Sequence, residues 1–444
     1  MVVRMKQLKI KDNTQIKKED FSEIPSIIRK IEDKTLDQLE REGVFVFPEL
    51  VCDTEDLTND QSILQSVNDS FRSGNVMGFI GCGNERLVIE SRFSNGHSDY
   101  FFQYLLERVL NFPNIVDMET DADQDNRLFN LLLFLFPYYL KTAMRKGVFK
   151  TYVRNRYNNS SVKGTVDIAR HISKNTPFIG NVAYSQREYS YDNQLMELVR
   201  HTIEFIKRKS YGNKLLIKVK DEVNLIIDAT PNYEPYDKRK IITENKQNTV
   251  RHAYFREYRA LQHLCILILQ HQKHQIGSGV RQIYGILFDG AWLWEEYINL
   301  LVEDIFYHPM NKGGKGAQRL FSGNRGLIYP DFISRNNVRR VIADAKYKPI
   351  DNIGNRDYLQ VMAYMFRFDA KEGFYLYPEA NNEDDLKLWL NSGSTYDKNV
   401  APRDDISITK HGLKIPNDAN QYDGFVTSMK ANEKEFLEIF DSLI

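Results

Sequence analysis

Asp344 and Lys346 stand two residues apart in the run Ile342-Ala343-Asp344-Ala345-Lys346. Alternation along a strand points both side chains to one face, beside Ile342. Burying either charge unpaired in so apolar a run is costly, so their presence needs a reason. Asp331, just after Pro330, lies on the preceding strand-like run, close enough in a hairpin to meet Asp344. Two carboxylates beside a lysine suit magnesium, which takes one or two carboxylates plus waters and phosphate oxygens. Such a metal would polarise a phosphodiester, activate a water and neutralise the leaving alkoxide. Lys346 could position or deprotonate that water, or stabilise developing charge. The chemistry is then phosphodiester hydrolysis. On Asp-x-Lys alone, an exposed ion pair on an edge strand is the simpler reading, since such pairs are common and contribute little.

The elements that must position these residues follow in a regular order. Trp292 to Tyr307 has the spacing of an amphipathic helix and carries Glu295 and Glu296. Asn311 to Gly326 is glycine-rich and basic, the composition of a mobile loop. Leu327 to Ser334 and Val338 to Tyr347 form a predicted hairpin across Arg335-Asn336-Asn337. Tyr358 to Phe368 reads as a helix with Gln360 and Tyr364 on one face, and Gly373 to Tyr377 as a strand. Helix, hairpin, helix, strand is the order of a compact α/β unit. A solvated helix face is the plain reading of Glu295 and Glu296.

Upstream, Val76 to Ile80 and Leu87 to Glu90 read as strands and Phe101 to Leu110 as a helix. Asn126 to Lys146 reads as a long buried helix closed by Gly147. Thr151 to Ile172 is a basic, strand-like edge with Arg154, Arg156 and Arg170. Helices are expected over Gln194 to Lys209 and Phe255 to Gln272, with Pro231 to Arg251 as a turn-rich connection. His171, His201 and His252 lack the spacing of metal ligands.

Pro-Asp on one strand, Asp-Ala-Lys on the next and a glutamine on the following helix resemble the PD-(D/E)XK nuclease superfamily. The wider order narrows the likeness. Thr151-Tyr152-Val153-Arg154, Gly164-Thr165-Val166-Asp167-Ile168-Ala169-Arg170, Tyr191-Asp192-Asn193-Gln194, Trp294-Glu295-Glu296-Tyr297 and Asp-Ala-Lys occur as in McrC-like proteins. These are the nuclease subunits of McrBC-type and LlaJI-type restriction systems. Gly78-Phe79-Ile80, Ile89-Glu90-Ser91-Arg92-Phe93 and Tyr100-Phe101 look most like the LlaJI branch. The likeness runs from about residue 75 to 380.

The resemblance implies an α/β, multidomain α+β chain. A C-terminal PD-(D/E)XK restriction-endonuclease-like fold, with a mixed central sheet flanked by helices, would follow an N-terminal α+β module. The blocks would be 1–150, the expected motor-docking module; 151–279, a mainly helical segment with a basic strand edge; and 280–444, the nuclease. It implies a DNA endonuclease using Mg²⁺, or Mn²⁺, through Asp331, Asp344 and Glu295, with Lys346 and Gln360 completing the catalytic set. The partner would be an McrB-like AAA+ NTPase with a DNA-recognition domain, acting on double-stranded DNA. Arg154, Arg156 and Arg170 are candidates for partner or phosphate contact, with solvated surface arginines as the alternative. A non-catalytic assembly subunit and a stand-alone repair nuclease are the competing functions.

Composition is consistent with this and does not select it. Over 444 residues, 42% hydrophobic and 27% charged is the balance of a globular protein with two or three cores. Sixty basic residues balance sixty acidic ones, against a protein that simply coats DNA. The three cysteines have neither disulfide-framework nor zinc-knuckle spacing. No Gly-x-x-x-x-Gly-Lys-Ser/Thr loop occurs, so no nucleotide is expected on this chain. There is no apolar run of about 18 residues and no secretory signal pattern, so a cytoplasmic protein away from membranes is expected.

Overall fold

The computed structural model describes residues 6–42, 44–47, 62–94, 99–110, 124–274, 283–309, 318–381, 383–394 and 400–441. Packing divides the chain into two units, 1–120 with 280–444, and 121–279. The three consecutive blocks suggested by the sequence give way to an insertion, because the strand at Ile283–Asp289 completes a sheet begun at the N-terminus.

That first sheet has the order β1-β7-β6-β11-β3, from Lys6–Lys11, Glu85–Glu90, Val76–Cys82, Ile283–Asp289 and Val44–Phe47. β6 is buried along its whole length, so it shows no alternation. At Gly78 (φ +138°), a Cβ would lie 2.1 Å from the Ile286 carbonyl oxygen, so only glycine lets β11 approach β6 here. Helices α1 (Pro25–Ile31) and α2 (Leu36–Glu42) contribute Ile27, Ile31, Leu36 and Leu39 to the core beneath it. A small antiparallel sheet, β2-β5-β4, comes from Gln15–Lys17, Ser70–Ser73 and Leu64–Val67.

The second large sheet of the same unit is mixed, with the order β12-β15-β16-β17-β19-β18. Its strands are Phe306–Tyr307, Phe332–Ser334, Val341–Ala345, Glu372–Glu379, Ala401–Lys414 and Leu386–Ser392. β15 and β16 are antiparallel, whereas β16, β17 and β19 run parallel. Helix α12 (Asn355–Phe368) packs Val361, Tyr364, Met365 and Phe368 with Ile342, Tyr375 and Ile408 of the sheet. Helices α3 (Tyr100–Leu110), α11 (Gly290–Val302) and α13 (Tyr422–Glu438) pack together, and Glu433 of α13 accepts hydrogen bonds from both Tyr104 and Tyr297.

Several sequence boundaries shift. The helix expected to reach Tyr307 ends at Val302, and Phe306–Tyr307 is an edge strand. The stretch read as a mobile loop holds a separate hairpin, β13 (Gln318–Phe321) and β14 (Arg325–Ile328), turned by Gly323, Asn324 and Gly326 at positive φ. Gly313 and Gly316 lie outside the described residues. The hairpin carrying the acids therefore begins at Phe332 rather than Leu327, and β14 pairs with β13 instead.

The inserted unit carries a three-stranded antiparallel sheet, β8-β10-β9, from Thr151–Asn159, Val182–Ser190 and Thr165–Val166. Helices α4 (Gln124–Met144), α6 (Gln194–Lys207) and α10 (Glu257–His274) form its helical centre. Around them lie α5 (Ile168–Lys174), α7 (Gly212–Leu216), α8 (Lys220–Ala229) and α9 (Lys238–Gln247), the last inside the segment expected to be a connection. Asn193 caps α6, accepting from the N–H groups of Leu195 and Met196. Among the described residues, no helix is long and apolar enough to cross a membrane.

Candidate active site

Alternation along β16 sends Ile342 and Asp344 toward α12, and Lys346 follows on the same side. Asp344 is 1% exposed. Asp331 stands just before β15, and its Oδ2 accepts a 2.9 Å hydrogen bond from the N–H of Ala345, the residue between Asp344 and Lys346. The antiparallel pairing of β15 with β16 thus sets the two aspartates side by side. Burial, then the charge of Asp344, then that of Glu295, push the Asp331 carboxyl well above the usual carboxylate range.

Lys346 Nζ lies 2.6 Å from Asp344 Oδ2, 3.4 Å from Gln360 Oε1 and 3.8 Å from Asp357 Oδ1. Burial opposes its charge, but Asp344, Asp331 and Asp357 together raise its pKa above that of an ordinary lysine. The side chain is therefore held as an ammonium. Gln360 in turn donates from Nε2 to the Tyr364 hydroxyl at 2.8 Å, one helical turn along α12.

Glu295 comes from the first half of α11, whose start is fixed by Asp289 accepting from the N–H groups of Ala291 and Trp292. Between Glu295 and Asp331 sits His308, which the sequence did not single out. Its Nδ1 donates to the Asp331 carbonyl oxygen at 2.7 Å, and its Nε2 is 3.7 Å from Glu295 Oε1. The second addition is Asp357, in the first turn of α12. Burial raises its pKa, but bonds from Lys348 and the Gly354 N–H lower it further, so it stands below the usual range as a carboxylate. A Gly-x-x-Asp helix start was the available sequence signal for it. Among the described residues, no three His, Cys, Asp or Glu side chains form a ready metal-binding group.

Tyr347 points away from this cluster. Its hydroxyl is 2.8 Å from Ser91 Oγ, and the Arg92 guanidinium lies 4.7 Å from its ring centroid. Its ring fills the space above Gly290, where a Cβ would come within 2.8 Å of it.

The arginines named from the sequence are not gathered with the acids and belong to the inserted unit. Arg154 and Arg156 are exposed on one face of β8 with Tyr152, opposite Arg187, Ser185 and Tyr189 of β10. Arg187 stacks 4.6 Å from the Tyr152 ring centroid, so this face is both basic and aromatic. Arg170 differs. Its Nη2 donates to the carbonyls of Tyr157 and Tyr184 at 2.8 and 2.7 Å, which commits it to tying α5 to the sheet.

Fold and site together define a mixed α/β protein with an inserted unit and a carboxylate–lysine centre on its second sheet. Residues 71–378 match the family model described as the McrBC 5-methylcytosine restriction system component, and the chain belongs to that family as an McrC-like subunit. Its fold is similar to a chain in the refined half-complex from the tetradecameric assembly of Thermococcus gammatolerans McrB AAA+ hexamers with bound McrC. That match has 16% identity and a TM-score of 0.51, covering 98% of this chain and 100% of the other. A chain of the Thermococcus gammatolerans McrBC complex aligns at 15% identity with a TM-score of 0.32, over 67% of this chain and 87% of its own. No curated protein matches the chain.

Proposed function

We propose that this restriction-system component is a Mg²⁺-dependent DNA endonuclease subunit with a PD-(D/E)XK centre at Asp331, Asp344 and Lys346. The observation that carries the reading is the hydrogen bond from Ala345 N–H to Asp331, which brings two acids and a lysine from adjacent strands to one place. Two adjacent aspartates suit a divalent cation that takes one or two carboxylates plus waters and phosphate oxygens, although with Glu295 they are not gathered as a ready three-ligand group among the described residues. Asp331 is destabilised as an anion by burial and by the charges of Asp344 and Glu295, and added positive charge would relieve that repulsion. Asp331, Asp344 and Glu295 would hold the ion, which when bound supplies Lewis acidity toward the phosphodiester.

The chain's own groups define the remaining roles. Lys346, kept protonated by its acidic neighbours, acts as a charged hydrogen-bond donor to oxygens that gain charge during cleavage. Gln360 orients the ammonium through Oε1 and is itself fixed by Tyr364. His308 ties the backbone at Asp331 to the neighbourhood of Glu295.

The McrC named in the similar structure is bound to McrB AAA+ hexamers. By that likeness, this chain works with an AAA+ NTPase; we further propose that the partner brings it double-stranded DNA and that the chain can stimulate the partner's hydrolysis. The basic, aromatic face of β8 and β10 is the surface offered for partner or DNA, through Arg154 and Arg156. Asp344→Ala tests the assignment. Cleavage with Mg²⁺ and the AAA+ partner should disappear while complex formation persists, and retained cleavage would overturn it. Cleavage by the chain alone, without partner or nucleotide, would favour a stand-alone nuclease.

A further inference from the structure

Lys346 is held by more than the aspartate two residues before it. Asp357 is 7% exposed at the start of α12. Its Oδ2 accepts from the Gly354 N–H at 3.0 Å, a bond that closes the first turn of the helix. Its Oδ1 lies 3.0 Å from Lys348 Nζ and 3.8 Å from Lys346 Nζ. Capping needs only one acceptor oxygen, and an asparagine would supply it. Lys348 Nζ reaches both oxygens, at 3.0 and 3.2 Å, and Oδ1 also faces Lys346, so the negative charge serves more than the cap.

The ammonium of Lys346 sits 2.6 Å from Asp344 Oδ2, an oxygen of a carboxylate the proposed ion would use. An ammonium and a divalent cation on one carboxylate repel each other, so drawing the ammonium away favours the ion. Apart from the aspartates of the proposed ion site, Asp357 and Gln360 are acceptors near the ammonium. Of these, only Asp357 carries charge.

We propose that Asp357 is a positioning residue that draws the Lys346 ammonium off Asp344, so that metal binding and a correctly placed lysine become compatible. The inference rests on the metal-dependent reading above and deepens it. Without the Asp357 charge, Lys346 stays on Asp344 and competes with the metal. Asp357 acts through Lys346 and touches neither metal nor substrate.

The test measures Mn²⁺ affinity of the full chain by electron paramagnetic resonance, without DNA or turnover. Asp357→Asn, which keeps the cap, is expected to weaken Mn²⁺ binding about tenfold, the scale of losing a group that orients a ligand. In a Lys346→Met background, the same change should alter affinity less than about twofold, because the competitor is gone. Asp357→Glu, which keeps the charge, should stay within about twofold of wild type. An equal loss in both backgrounds, no loss in either, or an Asp357→Glu variant as weak as Asp357→Asn would overturn the proposal. Asp344→Ala separates the two levels. If it leaves Mn²⁺ binding intact, the metal site itself is misplaced; if it abolishes binding while Asp357→Asn does not weaken it, only the role of Asp357 falls.

Discussion

Two buried acid clusters lie in the same unit and are satisfied in opposite ways. Around Arg92, Asp12 accepts from the Arg92 N–H at 2.6 Å and pairs with its guanidinium at 2.8 Å. Asp99 accepts from the N–H groups of Ser91 and Phe102, the latter in the first turn of α3. Burial pushes Asp12 up to about 6 and Asp99 up to about 7. Around Lys346, the acids face each other, and one flexible ammonium sits among Asp344, Gln360 and Asp357. Both clusters shift proton affinity, so a displaced pKa alone would not find the site. The distinction is in the donors. Fixed backbone N–H groups and a stacked arginine satisfy the first cluster, whereas in the second a single lysine side chain serves several mutually repelling carboxylates.

The largest expected contrast is between Asp344→Ala and Arg92→Ala. The first should lower partner-dependent cleavage on the order of 1000-fold or more with no loss of thermal stability. The second should cost about 3–5 kcal/mol of folding stability, read by urea denaturation, because it strands Asp12 as a buried, uncompensated charge. If both changes act mainly on stability, the contrast collapses.

Asp331→Asn sharpens it further. Asparagine can still accept from Ala345 N–H but removes one of the repelling charges. The variant should lose cleavage while gaining about 1 kcal/mol of stability in the same denaturation assay. A clear destabilisation would make Asp331 structural, like Asp99.

The smallest effect is a slope. Asp12 and Asp99 keep their protons to higher pH in the folded chain than in the unfolded one, where carboxyls titrate near about 3.9. Their contribution is therefore complete below about pH 4 and is lost as pH rises through about 6 to 7. Asp99→Asn, which can still cap α3, should flatten the fall in urea midpoint across that window. An unchanged slope would remove Asp99 as its source.

What the sequence showed of the site follows from how local each signal is. Asp344 and Lys346 were legible because strand alternation acts over two residues, and Asp331 because a hairpin is the shortest route between strands. The place of Glu295 beside His308 and Asp331 could not be read from its helix face alone, which looks the same whether an acid faces a cluster or solvent. His308 and the lysine-facing oxygen of Asp357 become visible only when β12 meets β15 and α12 meets β16. The insertion was hidden for a similar reason. β11 joins strands from the other end of the chain, and nothing in Ile283–Asp289 names its partners. β17 is buried almost throughout and β19 pairs in parallel beside it, a setting that erases alternation. The polar stretch over α9 was misread because its apolar contribution is confined to Ile241 and Ile242.

Tyr347 gives the strand that carries Asp344 a backstop. With Ser91 and Arg92 holding its head and Gly290 leaving room for its ring, the chain just past β16 is clamped from behind. Lys346 projects from the opposite side of that clamp, so the placement of its ammonium depends partly on residues outside the carboxylate–lysine cluster. A single methyl group added at position 290 would come within 2.8 Å of the ring and force it to shift, much as a shim behind a hinge moves a door.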